Sequence, residues 1–277
     1  MAGEGDHAAR HGLTTYVEQA AAAEHAEPIL RLRGIGRRFG GLDAVRDVDL
    51  DVARGERRAI LGPNGAGKTT LFNVISGDTP PTSGTIEFLG ADISALPPRT
   101  RAKLGMGRTY QKSRLFPGLS VEDNLYLAAL GVKAGHFRPV VLSGRDGELR
   151  EHARALAAAM GLEGREKTLV GSLSHGEQRQ LEVAMAQASK PVLMMLDEPA
   201  SGLSRGERVA LTEMLTRLDP SITLILIEHD MDVALRVAER VTMMHDGRVI
   251  VEGTPREIRA NETVHDLYLG RGYQADA

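Results

Sequence analysis

Short apolar runs alternate with amphipathic segments along the chain from Ile29 onward. Residues 192–196 and 222–227 are two such runs, and nearly every position in them is apolar, as is typical of strands buried on both faces. The segments in which apolar residues follow helical spacing are 174–189, 206–218 and 231–239. Buried strands that alternate with helices predict an α/β fold, with a mainly parallel sheet covered on both faces.

The N-terminal third of this region follows a different pattern. Strand-like runs bounded by Gly and Asp occupy residues 29–35, 46–52 and 85–89, and they predict a small antiparallel sheet. Much later in the chain, two short apolar runs flank Asp246-Gly247, a dipeptide typical of tight hairpin turns. We therefore expect an antiparallel subdomain near the start and a hairpin near the end.

A third pattern occupies residues from about 112 to 165, where apolar stripes at helical spacing predict a helical subdomain. We expect residues 29–270 to form one domain from these three parts. Residues 1–28 carry acidic and histidine side chains and end at a proline, so we expect a disordered or loosely helical extension. Residues 271–277 would form a short tail.

Composition narrows the class of protein. The 277 residues are 42% hydrophobic and 26% charged, the proportions of an ordinary globular protein. The net charge of −3 argues against a nucleic-acid partner, and the absence of cysteine excludes disulfides and thiolate metal sites. No apolar run approaches the roughly 18 residues that cross a bilayer, and the N-terminus lacks the apolar core of a signal peptide. We expect a cytoplasmic protein that meets the membrane through a partner.

A glycine-rich loop connects the strand predicted at 58–61 to a helix predicted at 69–76. It reads Gly62-Pro63-Asn64-Gly65-Ala66-Gly67-Lys68-Thr69, and Thr70 follows it. This pattern binds phosphates, because its glycines let backbone N–H groups surround the anion and the helix adds its positive end. Lys68 would contact the β- and γ-phosphates, and the Thr69 hydroxyl would ligate Mg²⁺. The loop predicts a nucleoside triphosphate site, which kinases and GTPases also possess.

Two acids follow the apolar run at 192–196. Asp197 is expected at the carboxyl end of a parallel strand, where it would hold Mg²⁺. Glu198 points elsewhere and would take a proton from the attacking water. A solvated Asp-Glu-Pro turn is the simpler interpretation, but the phosphate loop requires a metal ligand on a neighbouring strand. The base-reading segment of a GTPase is not found and a small-molecule kinase would not need Glu198, so hydrolysis is favoured.

The segment Leu173-Ser174-His175-Gly176-Glu177-Gln178 opens the helix that precedes the two acids. Its Ser174 and Glu177 form an S-x-x-E capping box, which by itself starts a helix. The segment also resembles LSGGQ, the signature of ABC ATP-binding cassettes, and it lies at the expected place between the nucleotide motifs. With it, residues 29–270 resemble a complete ABC cassette, which implies a RecA-like parallel-sheet core.

The resemblance implies roles for further residues. Phe39 resembles the aromatic residue that stacks on adenine, with a core position as the alternative. Gln111 resembles the Q-loop glutamine, which touches both the metal and the helical subdomain. His229, which follows the strand at 222–227, resembles the switch histidine, with a helix cap as the alternative. Ser201-Gly202-Leu203-Ser204 resembles the D-loop.

The same resemblance implies a dimer. In ABC cassettes the signature binds the γ-phosphate of ATP held by a second cassette, so Ser174, Gly176 and Glu177 would complete the site of a partner. Three residues depart from the usual pattern: His175 replaces a glycine, Glu177 replaces a glutamine and Ser204 replaces an aspartate. Ser174 and Gly176, the positions of closest contact, are retained. We expect both composite sites of a symmetric dimer to be competent.

Three further stretches resemble the importer group that serves branched-chain amino acids and related small polar solutes. They are residues 114–125, Ile227-Glu228-His229-Asp230-Met231 and the tail from 252 to 270. The resemblance implies ATP and Mg²⁺ as cofactors, transmembrane permease subunits as partners and, indirectly, a solute-binding protein. The chain would then lie at the inner face of the cell membrane. The same group serves urea, short amides and aromatic acids, and the cassette does not meet the solute.

Two other functions stay open. A soluble ABC ATPase of translation would carry two cassettes, and one of DNA maintenance would carry a long coiled-coil insertion. The present chain has one cassette and an insertion of about 50 residues, the size of a transporter helical subdomain. A non-catalytic, ATP-binding subunit of a mixed dimer is the other possibility, and the intact Glu198 and His229 argue against it.

Overall fold

The structure, a computed structural model, describes residues 27–109, 114–133 and 145–268. The strands within these ranges are β1 (Leu30–Phe39), β2 (Leu42–Val52), β3 (Arg57–Leu61), β4 (Ser83–Phe88), β5 (Ala91–Asp92), β6 (Met106–Arg108), β7 (Leu193–Asp197), β8 (Thr223–Ile227), β9 (Arg240–His245) and β10 (Arg248–Gly253). The helices are α1 (Lys68–Ser76), α2 (Pro98–Lys103), α3 (Val121–Lys133), α4 (Arg145–Ala159), α5 (His175–Gln187), α6 (Arg205–Thr216), α7 (Met231–Val237), α8 (Pro255–Arg259) and α9 (Glu262–Tyr268). The predicted extension over 1–28 and the tail over 271–277 fall almost entirely outside the described residues.

A six-stranded sheet with the order β10-β9-β3-β8-β7-β6 forms the core. Its strands from β9 to β6 pair in parallel, and β10 pairs antiparallel with β9. Every residue of β7 and β8 is buried, as their apolar sequences predict. The parallel sheet is therefore confirmed, and the carboxyl ends of β3, β7 and β8 meet at one edge.

The antiparallel sheet has the order β2-β1-β4-β5, which confirms the second part of the predicted architecture. Its first two strands are longer than the apolar pattern indicated. β1 continues through Arg37 and Arg38 to Phe39, and these residues pair with the start of β2 across register shifts. The charged residues on this solvent-exposed end hide the alternation that identifies a strand.

Two helices of the region predicted to be helical, α3 and α4, pack against each other and against α5. Val121 and Leu125 on α3 share a buried cluster with Ala153 and Leu156 on α4. This cluster also includes residues of the core sheet, such as Leu196. The helices are therefore joined to the parallel-sheet core through a common apolar interior.

The edge strand β6 is absent from the sequence-based prediction. It has only three residues, and its central Gly107 carries no apolar side chain that a pattern could register. A Cβ at this glycine would lie 2.6 Å from the carbonyl oxygen of Ala186, so the strand requires glycine to approach α5.

Candidate functional site

The predicted phosphate loop joins the end of β3 to the start of α1. Two of its glycines take conformations that other residues rarely adopt, with φ of 154° at Gly62 and 98° at Gly67. A Cβ would collide with the carbonyl oxygen of Met244 at the first position and with that of Ala44 at the second. The loop is thus packed against two other strands, and the helix N-terminus after Gly67 is held in a fixed direction.

The hairpin turn between β9 and β10 supports this loop from outside. Gly247 donates its N–H to the carbonyl of Ala66 at 3.0 Å, and its own carbonyl accepts from the N–H of Arg46 at 2.8 Å. A cavity of about 510 Å³ opens above the loop. The residues that line it are Leu42, Asp43, Ala44, Arg46, Asn64, Gly65, Ala66, Gly67, Lys68, Thr69, Thr70, Glu198, Asp246 and Gly247. The antiparallel sheet and the hairpin therefore contribute walls that the motifs did not reveal.

Lys68 is buried within the loop at the first residue of α1. Its Nζ donates to the carbonyl of Gly62 at 2.5 Å and to that of Pro63 at 3.1 Å. Burial lowers the pKa of Lys68, and the nearby carboxylates of Glu198 and Asp197 oppose this shift. The site thus places the side chain of Lys68 at the N-terminal, positive end of the α1 dipole, and this arrangement binds a phosphate chain.

Asp197 is the last residue of β7 and is buried. Its Oδ2 lies 3.4 Å from Nη2 of Arg108, whereas its buried Oδ1 has no hydrogen-bond partner. Burial raises the pKa of this carboxyl, and Arg108 opposes the shift. An unpartnered carboxylate oxygen on a residue close to Lys68 of the phosphate loop fits Mg²⁺, which takes one or two protein oxygens and completes its shell with phosphate and water.

Glu198 and His229 meet at the same edge of the sheet. Asp197 pairs with Ile227 in the register of β7 and β8, so the residues that follow the two strands are neighbours. The Nδ1 of His229 lies 4.0 Å from Oε2 of Glu198, and Glu198 also lines the cavity. The ends of the neighbouring strands β7 and β8 therefore bring an acid and an imidazole together, and the acid borders the cavity above the phosphate loop.

The signature-like segment occupies a different face, where α5 begins against α6. Ser174 caps α5 and forms the predicted capping box with Glu177. The N–H of Gly176 donates to Oε1 of Glu207 at 3.0 Å. The Nε2 of His175 lies 3.2 Å from where a Cβ of Gly202 would be, so this histidine packs against the segment that resembles a D-loop.

Phe39 and Gln111 are the two remaining candidates. Phe39 is 46% exposed at the end of β1, and the Arg37 guanidinium lies 4.4 Å from the centre of its ring. It pairs across the hairpin with Leu42, which lines the cavity, so the ring is close to the site. Gln111 lies outside the described residues, and its role stays a prediction.

Fold and site together define a P-loop nucleoside triphosphatase, with a phosphate loop, a candidate metal carboxylate and a candidate base at one edge of a parallel sheet. Residues 45–201 match the sequence profile of the ABC transporter family. The chain belongs to this family and is an ATP-binding, ATP-hydrolysing subunit of an ABC transporter. Residues 248–274 match a second profile, described as branched-chain amino acid ATP-binding cassette transporter.

Individual relatives agree with this assignment. The chain is 36% identical over 252 residues to the high-affinity branched-chain amino acid transport ATP-binding protein LivG of Salmonella typhimurium, covering 88% of this chain and 99% of LivG. The solved structure of the ADP conformation of MJ1267, an ATP-binding cassette, matches with a TM-score of 0.78 and 27% identity over 88% of this chain and 99% of that one. A dimeric post-hydrolysis structure of the cassette MJ0796 with ADP and Pi matches with a TM-score of 0.69 and 25% identity over 82% and 99%.

Proposed function

We propose that this chain powers the import of branched-chain amino acids or related small polar solutes. Two similarities support this solute class. LivG, whose name states that transport, matches along nearly its whole length, and residues 248–274 match the profile for branched-chain amino acid cassettes. The cavity itself is built for a nucleotide, so it does not discriminate between solutes.

The meeting of Glu198, His229 and the phosphate loop at one edge is the single observation that supports the catalytic part of the proposal. Lys68 and the N-terminus of α1 bind the β- and γ-phosphates. Glu198 accepts a proton from the attacking water, because its carboxylate lines the cavity opposite the loop. His229 lies 4.0 Å from that carboxylate and orients it or the γ-phosphate. Phe39 would stack on the adenine, and Gln111 would help to hold the metal.

Mg²⁺ is the proposed metal. Thr69 and Asp197 would hold it, and it would neutralise charge that develops on the phosphates. The free Oδ1 of Asp197 is the observation that supports this assignment. Among the described residues, no group of three or more His, Asp or Glu side chains is arranged to hold a metal, so the donor set is one that needs the nucleotide's own oxygens.

A second cassette completes the site in this proposal. Ser174, Gly176 and Glu177 lie at the N-terminus of α5, against α6 rather than over the phosphate loop of their own chain. A helix N-terminus with a serine and a glycine attracts an anion. ATP held by the phosphate loop of one subunit would therefore contact α5 of the other, in line with the dimeric MJ0796 structure.

The permease would contact the face where β6 meets α3 and α5. A cavity of about 170 Å³ opens there, lined by apolar residues such as Leu115 and Met185 and by Arg108 and Arg114. Phe116, which follows Leu115 in the chain, is 49% exposed.

Among the described helices, none is long and apolar enough to cross a membrane. The proposed location is the inner face of the cell membrane, through the permease.

Affinity purification from native membranes tests the partners and the solute class. The tagged chain should bring down a second cassette, permease subunits and a solute-binding protein that binds branched-chain amino acids. Purified complex in vesicles should hydrolyse ATP faster when that solute and its binding protein are present. Recovery of a permease whose binding protein prefers urea, an amide or an aromatic acid would overturn the solute class and leave the ATPase assignment intact.

A further inference from the structure

Glu228 is a buried acid next to the reacting groups, and neither the phosphate loop nor the metal site uses it. It follows β8 directly and is 0% exposed. Taking an isolated carboxylate out of water is costly unless hydrogen bonds replace the lost hydration. A carboxylate at this position therefore needs hydrogen-bond donors from the protein.

The two oxygens of Glu228 bind the backbone on either side of the site. Oε1 accepts the N–H of Ala200 at 2.9 Å, and Oε2 accepts the N–H of His229 at 3.2 Å. The imidazole Nδ1 of His229 is 3.9 Å from the same Oε2. One carboxylate thus joins the turn that follows β7 to His229, the second residue after β8.

The turn that Glu228 holds contains a strained residue. Glu198 has φ of 48°, a left-handed conformation that non-glycine residues adopt only when their surroundings impose it. On its N-terminal side, the N–H of Glu198 donates to the carbonyl of Ile227 at 2.9 Å. On its C-terminal side, two residues on, the Ala200 N–H is fixed by Glu228. Both anchors come from the end of β8.

We propose that Glu228 is a positioning residue for hydrolysis: it clamps the Ala200 N–H and the His229 N–H, and so keeps the strained Glu198 and the imidazole aimed at one point. It does not touch ATP in this proposal, which rests on the proposed role of Glu198 as the base. The clamp acts on the direction of the Glu198 carboxylate and leaves the phosphate loop unchanged. Its loss should lower turnover without weakening nucleotide binding.

Two substitutions at this position remove different parts of the clamp. Glu228→Ala removes both acceptors. Glu228→Gln keeps one oxygen for the Ala200 N–H but turns an amide NH₂ toward the His229 N–H, which is also a donor. Hence the alanine variant should have the larger effect on turnover, and the glutamine variant an intermediate one.

The experiment compares steady-state ATP hydrolysis, ATP binding and thermal unfolding of these variants with two others. Glu122→Gln is the matched control, since Glu122 is an equally buried acid in the helical subdomain. Glu198→Gln reports on the proposed function itself. For Glu228→Ala we expect kcat to fall about 10- to 100-fold with the affinity for ATP unchanged. The control should lose thermal stability and keep its kcat.

The results separate the two ideas. The positioning role is wrong if folded Glu228→Ala keeps the kcat of the unaltered protein while Glu198→Gln is inactive. It is also wrong if kcat and ATP affinity fall together, because a general loss of structure would then be the cause. Should Glu228→Ala fail to fold, Glu228→Gln decides by the same criteria. Full activity of Glu198→Gln would instead overturn the proposed base.

Discussion

Two buried glutamates have different surroundings: Glu122 lies in the helical subdomain, and Glu228 lies at the edge of the core sheet. Glu122 on α3 accepts hydrogen bonds from Lys167 at 2.7 Å, Arg154 at 3.2 Å and Arg150 at 3.3 Å. Burial alone would raise the pKa of Glu122, but these cations outweigh it and lower the pKa to about 2. Burial raises the pKa of Glu228, and backbone N–H groups such as that of Ala200 only oppose the shift.

The buried acid has a different role in each region. In the subdomain, charge pairs connect α3 to α4 and to the segment that carries Lys167, so they contribute to the stability of the packing. At the sheet edge, Glu228 instead accepts hydrogen bonds from the backbone N–H of Ala200, two residues after Glu198, and from that of His229. We therefore expect substitutions at the sheet edge to affect activity and those around Glu122 to affect stability.

Among the substitutions that are paired across the two regions, Lys68→Ala at the sheet edge should have the largest effect. Removing the buried cation takes away the side chain that contacts the β- and γ-phosphates, so kcat/KM for ATP should fall about 100- to 1000-fold. Lys167→Ala is the matched control, because this lysine pairs with Glu122 and is exposed. The control should be less stable yet active. If both lysine variants lose activity equally, the distinction between the two regions fails.

A smaller effect is expected for Glu122→Gln. The amide keeps the shape but loses the charge that three cations bind, which should lower the free energy of unfolding by about 2 kcal/mol. Urea unfolding followed by circular dichroism measures this difference. If Glu122→Gln unfolds with the same free energy as the unaltered protein, charge pairs do not stabilise this subdomain.

The two acids should respond to pH with opposite signs. The folded-state pKa of Glu122 is about 2, below the ordinary value of 4.5, so its contribution is complete above pH 4.5 and disappears as the pH falls toward 2. The pKa of Glu228 is raised above 4.5, so its contribution to stability is largest below that pH and is lost as the pH rises through the folded-state pKa. The destabilisation caused by Glu122→Gln should therefore decrease as the pH falls, whereas that caused by Glu228→Gln should decrease as the pH rises. Urea unfolding of both variants and of the unaltered protein over a range of pH measures these changes.

The smallest effect is expected at an exposed ion pair of α6. Arg217 lies 3.6 Å from Glu213, and its side chain is 79% exposed. Such pairs are screened by water and salt, so Arg217→Ala should change the free energy of unfolding by at most about 0.5 kcal/mol. A loss comparable to that of Glu122→Gln would mean that burial does not explain the strength of the Glu122 cluster.

Much of the fold could be predicted from the sequence, since strands buried on both faces have a distinctive apolar signal. The runs that became β7 and β8 are the clearest cases. The short edge strand β6 could not be predicted, because three residues with a central glycine carry no periodicity. Arg37 and Arg38 concealed the outer end of β1 for the related reason that exposed charges interrupt the alternation.

The candidate site was predictable only where a motif lies continuously along the chain. Asp197 and Glu198 could be placed beside the phosphate loop because parallel strands end at a common edge. Arg46 and Gly247, which reach the loop by tertiary packing, gave no such signal. Glu228 was visible in the sequence as an acid next to His229, but only the fold shows that it is buried and bound to Ala200.

The central claim is that Glu198 takes the proton of the attacking water at this edge. Phosphate release by Glu198→Gln, measured with ATP and Mg²⁺ next to the unaltered protein and alongside direct ATP binding, tests it most directly. The account predicts a kcat lower by about 10²- to 10⁴-fold with ATP affinity retained. Phosphate release at the rate of the unaltered protein would contradict it.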